Sequence, residues 1–122
     1  MIYNSRQTRG IRGATTVKIN TAEEIISATR ELLKKIVDEN SIVTRDIAAV
    51  FFSVTPDLNR AFPAKAARDM GWMNVPLFCQ LEIDVPGSLA KCIRIMMLVN
   101  TTLEQDQIRH IYLKETPKLR EQ

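Results

Sequence analysis

The stretch IRIMMLV, from Ile93 to Val99, decides the fold because every second residue belongs to a wholly apolar set, whereas the residues between them include a charged one. Alternation with a period of two is the pattern of a β-strand whose two faces meet different surroundings. One set is wholly apolar and includes Ile95 and Met97, so it should face a core. The other set contains Arg94, so the second face of this strand should carry a charge.

The flanking sequence predicts four more strands and two helices. A capping box, with Thr21 and Glu24 three residues apart, begins a helix that ends near Asn40. A proline in the first turn and Gly71 at the end delimit a second helix over residues 63–70. The tail after residue 113 is polar and should be loosely held. The predicted strands are residues 11–19, 47–54, 75–83, 93–99 and 108–113, and residues 88–92 should form one helical turn.

These elements predict an α+β fold with a mixed β-sheet and helices on one face. The 122 residues suit one domain over residues 1–122, and a hydrophobic content of 45% suits a globular core. The second face of the sheet also needs a cover, and a partner subunit is the natural candidate.

The composition argues against several classes of function. Basic residues exceed acidic ones by only three and are interleaved with them, which argues against a nucleic-acid partner. Two cysteines without CxxC spacing and a single histidine predict no disulfide framework and no metal site, and they fit a cytoplasmic protein. No signal peptide is predicted, and no apolar stretch reaches the roughly 18 residues of a membrane span. Without a phosphate loop or a dinucleotide fingerprint, no cofactor is predicted either.

Four cations and one carboxylate are the candidate functional residues: Arg12, Lys65, Arg68, Arg94 and Glu82. Each lies among apolar or small residues, where a charge is unfavourable unless it meets a partner. Lys65 and Arg68 are three residues apart on the second helix, so both project from one face. The surplus of positive charge predicts a site for a small anion such as a dicarboxylate.

Ordinary structural explanations compete with this interpretation. Arg94 and Glu82 could form a structural ion pair, and Lys65 and Arg68 could be solvated surface charges. Cys79 has no evident base beside it and suits a small buried residue.

The surroundings of Arg12 also favour a ligand, and the position of Tyr112 allows one. Arg12 lies between Gly10 and Gly13, whose bare backbone would allow a ligand to approach closely, as in an anion-binding loop. Tyr112, on the last predicted strand, is a core or interface residue whose hydroxyl could reach a ligand.

Five blocks of sequence carry a family resemblance: RGIRGATTV, TPDLNRAFPAKAAR, GWMNVPLFCQLEIDV, LAKCIRIMMLVNT and DQIRHIYL. In this order and spacing they resemble the monofunctional, trimeric chorismate mutases of the pseudo-α/β-barrel type. The resemblance covers about residues 9–120, and residues 1–8 form an N-terminal extension with no assigned role.

The resemblance implies a homotrimer whose sheets form a barrel-like core, with active sites in clefts between subunits. The implied reaction is the pericyclic rearrangement of chorismate to prephenate, without a cofactor, a metal or a covalent intermediate. Arg12 would hold a substrate carboxylate, Arg94 would donate to the ether oxygen, and Glu82 would accept from the ring hydroxyl. The other substrate contacts implied are Phe62, Lys65, Arg68, Phe78, Cys79, Tyr112, Leu119 and Arg120.

Two other functions fit the same residues. One is an imine-hydrolysing deaminase on a similar trimer, with a carboxylate-binding arginine in an intersubunit cleft. The other is a non-catalytic module that binds a small anion.

Overall fold

The computed structural model describes residues 5–121, with side chains described for residues 5–119. The described chain forms one five-stranded sheet with two α-helices. The strands are β1 (Gln7–Thr16), β2 (Ile47–Val54), β3 (Leu77–Leu81), β4 (Cys92–Thr101) and β5 (Ile111–Tyr112). The helices are α1 (Ala22–Glu39) and α2 (Ala64–Asp69), and short 3-10 helices cover Thr44–Asp46, Gln105–Gln107 and Thr116–Glu121.

The strand that contains Arg94 lies in the middle of the sheet, whose order is β3-β2-β4-β1-β5. Strand β4 is antiparallel to both neighbours, whereas β3 is parallel to β2 and β5 is parallel to β1. The predicted mixed sheet of an α+β protein is therefore confirmed.

The alternation in β4 separates the two faces of the sheet as predicted. Ile93, Ile95, Met97 and Val99 are at most 3% exposed, and they point toward the core, whereas Arg94 is exposed on the other face. Helix α1 covers the core face with a stripe of apolar residues at helical spacing. The members of that stripe are Ile25, Ala28, Leu32, Leu33 and Ile36.

The capping residues of α1 also match the prediction. The Thr21 hydroxyl accepts a hydrogen bond from the Glu24 N–H at 3.1 Å and satisfies one free donor of the first turn. At the other end, Asn40 exchanges two hydrogen bonds with the backbone of Arg109, at 2.8 and 2.9 Å. This amide ties the end of the helix to the segment that leads into β5.

Gly13 has a packing role that the sequence did not indicate. Its missing side chain faces α1, since an added Cβ would lie only 2.7 Å from the Ile36 Cδ1 atom and 3.2 Å from the Leu32 Cδ1 atom. Gly13 also lines a cavity together with Arg12, so the expectation that this glycine opens the backbone to a ligand stays a prediction. The glycine allows the helix to pack closely on β1. Only the loop expected around Arg12 is wrong, since Arg12 lies within a strand.

Several predicted boundaries are wrong. Strand β1 starts at Gln7 because β4 continues to Thr101 and pairs with it there, and it ends at Thr16 before the chain turns into α1. The third and fifth strands are shorter than predicted, at Leu77–Leu81 and Ile111–Tyr112.

Residues 88–92 do not form the predicted helical turn. The Asp57 carboxylate accepts the Lys91 N–H at 3.0 and 3.2 Å, and Lys91 has a positive φ of 49°. Cys92 already belongs to β4. The aspartate thus fixes a sharp bend into the strand, which leaves no room for a helical turn.

The tail is also better held than expected. Thr116 is fully buried, and its hydroxyl lies 2.6 Å from the Leu113 carbonyl oxygen and 3.1 Å from the Ala14 carbonyl oxygen. These contacts anchor the last 3-10 helix against β1. Within residues 5–121, no helix is both long and apolar enough to cross a membrane.

Candidate active site

Arg94 projects from the middle of the sheet on the face that α1 and α2 leave uncovered. On one side it lines a cavity of about 180 Å³ together with Arg12 and Tyr112. These residues come from three adjacent strands, because Ala14 of β1 pairs with Arg94 on one side and with Tyr112 on the other. Strand pairing therefore brings together residues that are far apart in the sequence.

On its other side Arg94 lines a second cavity, of about 370 Å³, with Glu82 and Leu119. The Arg94 Nη1 atom is 3.6 Å from the Glu82 Oε2 atom, and the two side chains are 45% and 24% exposed. The predicted ion pair between them is present, but the gap is longer than a charge-assisted hydrogen bond of about 2.7–2.9 Å. Both groups also face open cavities, so this contact does not exclude ligand binding.

Ser53 is part of this site although the sequence analysis did not single it out. Its hydroxyl donates a hydrogen bond of 2.8 Å to the Glu82 Oε2 atom, and it pairs across the sheet with Arg94. The Glu82 Oε1 atom accepts from the N–H of Ile83 at 3.3 Å. A sequence signal existed, since serine interrupts the otherwise apolar strand IAAVFFSV.

A second group of candidate residues lies elsewhere on the chain. Phe62 and Cys79 line a separate cavity of about 450 Å³ between β3 and the segment that leads into α2. Phe62 is 70% exposed, whereas Cys79 packs against the core on the helix-covered side. Lys65 and Arg68 are exposed on α2, and Lys65 forms an ion pair of 3.1 Å with Asp69.

The described part of one chain therefore does not collect all the candidate residues around one cavity. Arg12, Glu82, Arg94 and Tyr112 surround the Arg94 cavities, together with Leu119. Phe62 and Cys79 lie at another cavity. The side chain of Arg120 lies outside the described residues.

Phe78 belongs to the uncovered face of the sheet. It is 57% exposed, and its ring contacts Phe51 edge to face, with 6.3 Å between the ring centroids. Met96, on the same face, is 38% exposed. An apolar surface of this kind on a central sheet is typical of a protein interface.

Cys92 also lines the cavity that contains Glu82, but its thiol is poorly suited to nucleophilic chemistry. Burial raises the pKa of the Cys92 thiol to about 11, and the nearby Arg94 only partly offsets this effect. A thiol that keeps its proton at neutral pH is a weak nucleophile.

The backbone of Arg12 is fixed separately, because its N–H donates to His110 Nδ1 at 2.9 Å.

The fold and the site define an α+β protein whose uncovered sheet face carries two arginines and a glutamate around open cavities. The model of the family described as chorismate mutase type I matches residues 8–122. The chain belongs to the chorismate mutase type I family, and the resemblance seen in its sequence is confirmed.

Individual relatives agree with this assignment. Chorismate mutase AroH of Bacillus subtilis (strain 168) is 53% identical over 113 residues, which are 92% of this chain and 89% of that protein. Chorismate mutase AroH of Thermus thermophilus is 52% identical over 113 residues, which are 92% of this chain and 93% of that protein. The structure of a chorismate mutase from Clostridium thermocellum matches with a TM-score of 0.88 and 52% identity, over 89% of this chain and 97% of that one.

Proposed function

We propose that the protein catalyses the rearrangement of chorismate to prephenate, a step in the biosynthesis of phenylalanine and tyrosine. Membership of the chorismate mutase type I family supports this reaction. The observation that supports the site is that Arg94 lines two cavities at once, one with Arg12 and one with Glu82. A substrate with two carboxylates and a hydroxyl group needs both cations and a hydrogen-bond acceptor around its reacting bond.

Arg94 is the main catalytic group in this proposal. The reaction breaks one C–O bond and forms one C–C bond in a single pericyclic step, so the protein neither transfers a proton nor forms a covalent bond. As the C–O bond breaks, negative charge grows on the ether oxygen, to which Arg94 donates hydrogen bonds. Because this interaction is strongest in the transition state, it raises turnover more than it tightens substrate binding.

Arg12, Tyr112 and Glu82 hold the substrate in a reactive shape. Arg12 and Tyr112 bind a carboxylate on one side of Arg94, and Glu82 accepts a hydrogen bond from the ring hydroxyl on the other side. Held in this way, the flexible dianion adopts a compact, chair-like conformation with its reacting carbons close together. Such positioning can lower a barrier by several kcal/mol, with an upper range of roughly 7–11 kcal/mol in well-oriented systems.

The second wall of the site comes from a neighbouring protomer. Phe62, Cys79, Lys65 and Arg68 lie away from the Arg94 cavities within one chain, and this separation supports a site that is completed between subunits. The exposed cations Lys65 and Arg68 attract the dianion toward the cleft. In this arrangement Phe78 lines the cleft, and the tail residues Leu119 and Arg120 cover its mouth.

A homotrimer of single-domain protomers accounts for the uncovered face of the sheet. Phe78 and Met96 are exposed on the face opposite the helices, where an isolated chain would present them to water. Three copies that pack these faces together form a barrel-like core of three sheets. The same packing places one protomer's Arg94 beside the next protomer's Phe62.

The test is to incubate the protein with chorismate and follow the loss of its ultraviolet absorption. Acid conversion of the product to phenylpyruvate should then identify prephenate. The matched control is Arg94→Ala, which should lose about 10²–10³-fold in turnover, as expected for the loss of one transition-state donor. A wild-type protein that leaves chorismate unchanged would refute the proposal, and release of ammonia from an imine would indicate a deaminase instead.

A further inference from the structure

We infer that Ser53 is a positioning residue for this reaction, because its hydroxyl holds the Glu82 carboxylate away from full pairing with Arg94. The inference rests on the proposed function. It adds a residue from β2, a strand that contributes none of the charged groups of the site.

The contacts around Glu82 carry the inference. The Ser53 Oγ atom is 2.8 Å from the Glu82 Oε2 atom, and the same oxygen is 3.6 Å from the Arg94 Nη1 atom. Ser53 and Arg94 are directly opposite each other on adjacent strands, so both side chains reach Glu82 from neighbouring positions on one face. One carboxylate oxygen is thus shared between a neutral donor at close range and a cation at longer range.

This geometry leaves Arg94 available to a ligand. A carboxylate beside a guanidinium normally forms charge-assisted hydrogen bonds of about 2.7–2.9 Å, often two at once. The hydrogen bond from the Ser53 hydroxyl fixes the position of Oε2, so the Glu82 carboxylate stays near Arg94 without closing this gap. If the hydroxyl is removed, the carboxylate can turn onto Arg94 and occupy the hydrogen atoms that the ether oxygen requires. The substrate must then break an ion pair before Arg94 can act.

A matched pair of substitutions isolates the hydroxyl. Ser53→Thr keeps the oxygen, whereas Ser53→Val has nearly the same shape as the threonine and lacks it. We expect Ser53→Thr to stay within about threefold of wild-type kcat and Ser53→Val to lose about 10- to 100-fold, the range for a hydrogen bond to a charged group. Most of the loss should fall on kcat and little on KM, because the hydrogen atoms that the misplaced carboxylate occupies belong to Arg94, which acts in the transition state.

The second measurement asks whether Ser53 acts through Glu82. In a Glu82→Ala background, Ser53→Ala should change kcat by less than about twofold, although it is harmful in the wild-type background. This cycle remains decisive if the Thr or Val variant does not fold. Equal kcat for folded Thr and Val variants, or equal losses from Ser53→Ala in both backgrounds, would overturn the inference. A wild-type protein that does not convert chorismate would instead overturn the proposed function, so the two failures are distinguishable.

Discussion

Replacing Thr15 by valine should stabilise the protein, and the same change at Thr55 should destabilise it. Both threonines are buried, at 0% and 7% exposure, but their hydroxyl groups differ. Within the described residues, the Thr15 Oγ1 atom has no hydrogen-bond partner. The Thr55 Oγ1 atom donates to the Asp57 carboxylate at 2.6 Å and accepts the Cys92 N–H at 2.9 Å.

The magnitudes follow from these partners. A buried hydroxyl without a partner destabilises the fold by about 1–3 kcal/mol, so Thr15→Val should raise the free energy of unfolding by about 1 kcal/mol. That gain corresponds to a rise in Tm of about 3–6 °C for a domain of this size. Thr55→Val leaves the buried N–H of Cys92 without its acceptor, which should lower the free energy of unfolding by about 1–3 kcal/mol.

The assay is urea-induced unfolding of both variants and wild type at one fixed protomer concentration, because assembly would make the apparent stability depend on concentration. The matched control is Thr29→Val in α1. The Thr29 hydroxyl donates only to the Ile25 carbonyl oxygen at 2.7 Å, so its loss should change stability by less than about 0.5 kcal/mol. The reasoning would be refuted if Thr15→Val lowered the stability, or if Thr55→Val left it unchanged.

Three further predictions concern the charged site and the buried thiol. Arg94→Lys should also lose most of its turnover in a chorismate assay, because a point charge cannot serve two oxygens as a planar guanidinium does. Lys65→Ala and Arg68→Ala should mainly raise KM, by an amount that varies with added salt; an increase that is independent of salt would indicate a structural role. Burial raises the pKa of the Cys92 thiol from 9.0 to about 11, so the folded protein keeps this proton where the unfolded chain releases it, and the thiol's contribution to stability should be lost as the pH rises from about 9 to 11. Cys92→Ala should make Tm depend less on pH in this range, and an unchanged dependence of Tm on pH would contradict the effect of burial on the pKa of this thiol.

Local sequence patterns were sufficient to predict the framework of the fold. The alternation around Arg94 predicted the two faces of β4, and the capping box at Thr21 predicted the start of α1 within one residue. Both signals depend on neighbours along the chain, and so the sequence carries them directly. Boundaries were less predictable because they depend on partners far away, as when β4 extends the pairing of β1 back to Gln7.

The architecture of the site was harder to predict for the same reason. Gly13 looked like part of a ligand loop, but its neighbour in space is Ile36, which no local pattern around the glycine reveals. Ser53 gave only the weak signal of one hydroxyl in an apolar strand. Its importance depends on the pairing that places Ser53 beside Arg94 and Glu82.

Mixing two impaired variants tests the central claim, a site completed between protomers, most directly. One variant is Arg94→Ala, and the other carries Lys65→Glu and Arg68→Glu, charge reversals at exposed positions. In a cyclic trimer, every mixed assembly contains one site whose two walls are both intact. At a chorismate concentration well below KM, where weak binding makes the charge-reversed variant slow, equal refolded mixtures should therefore recover about a quarter of wild-type activity. Activity equal only to the average of the two separate variants would contradict a site shared between subunits.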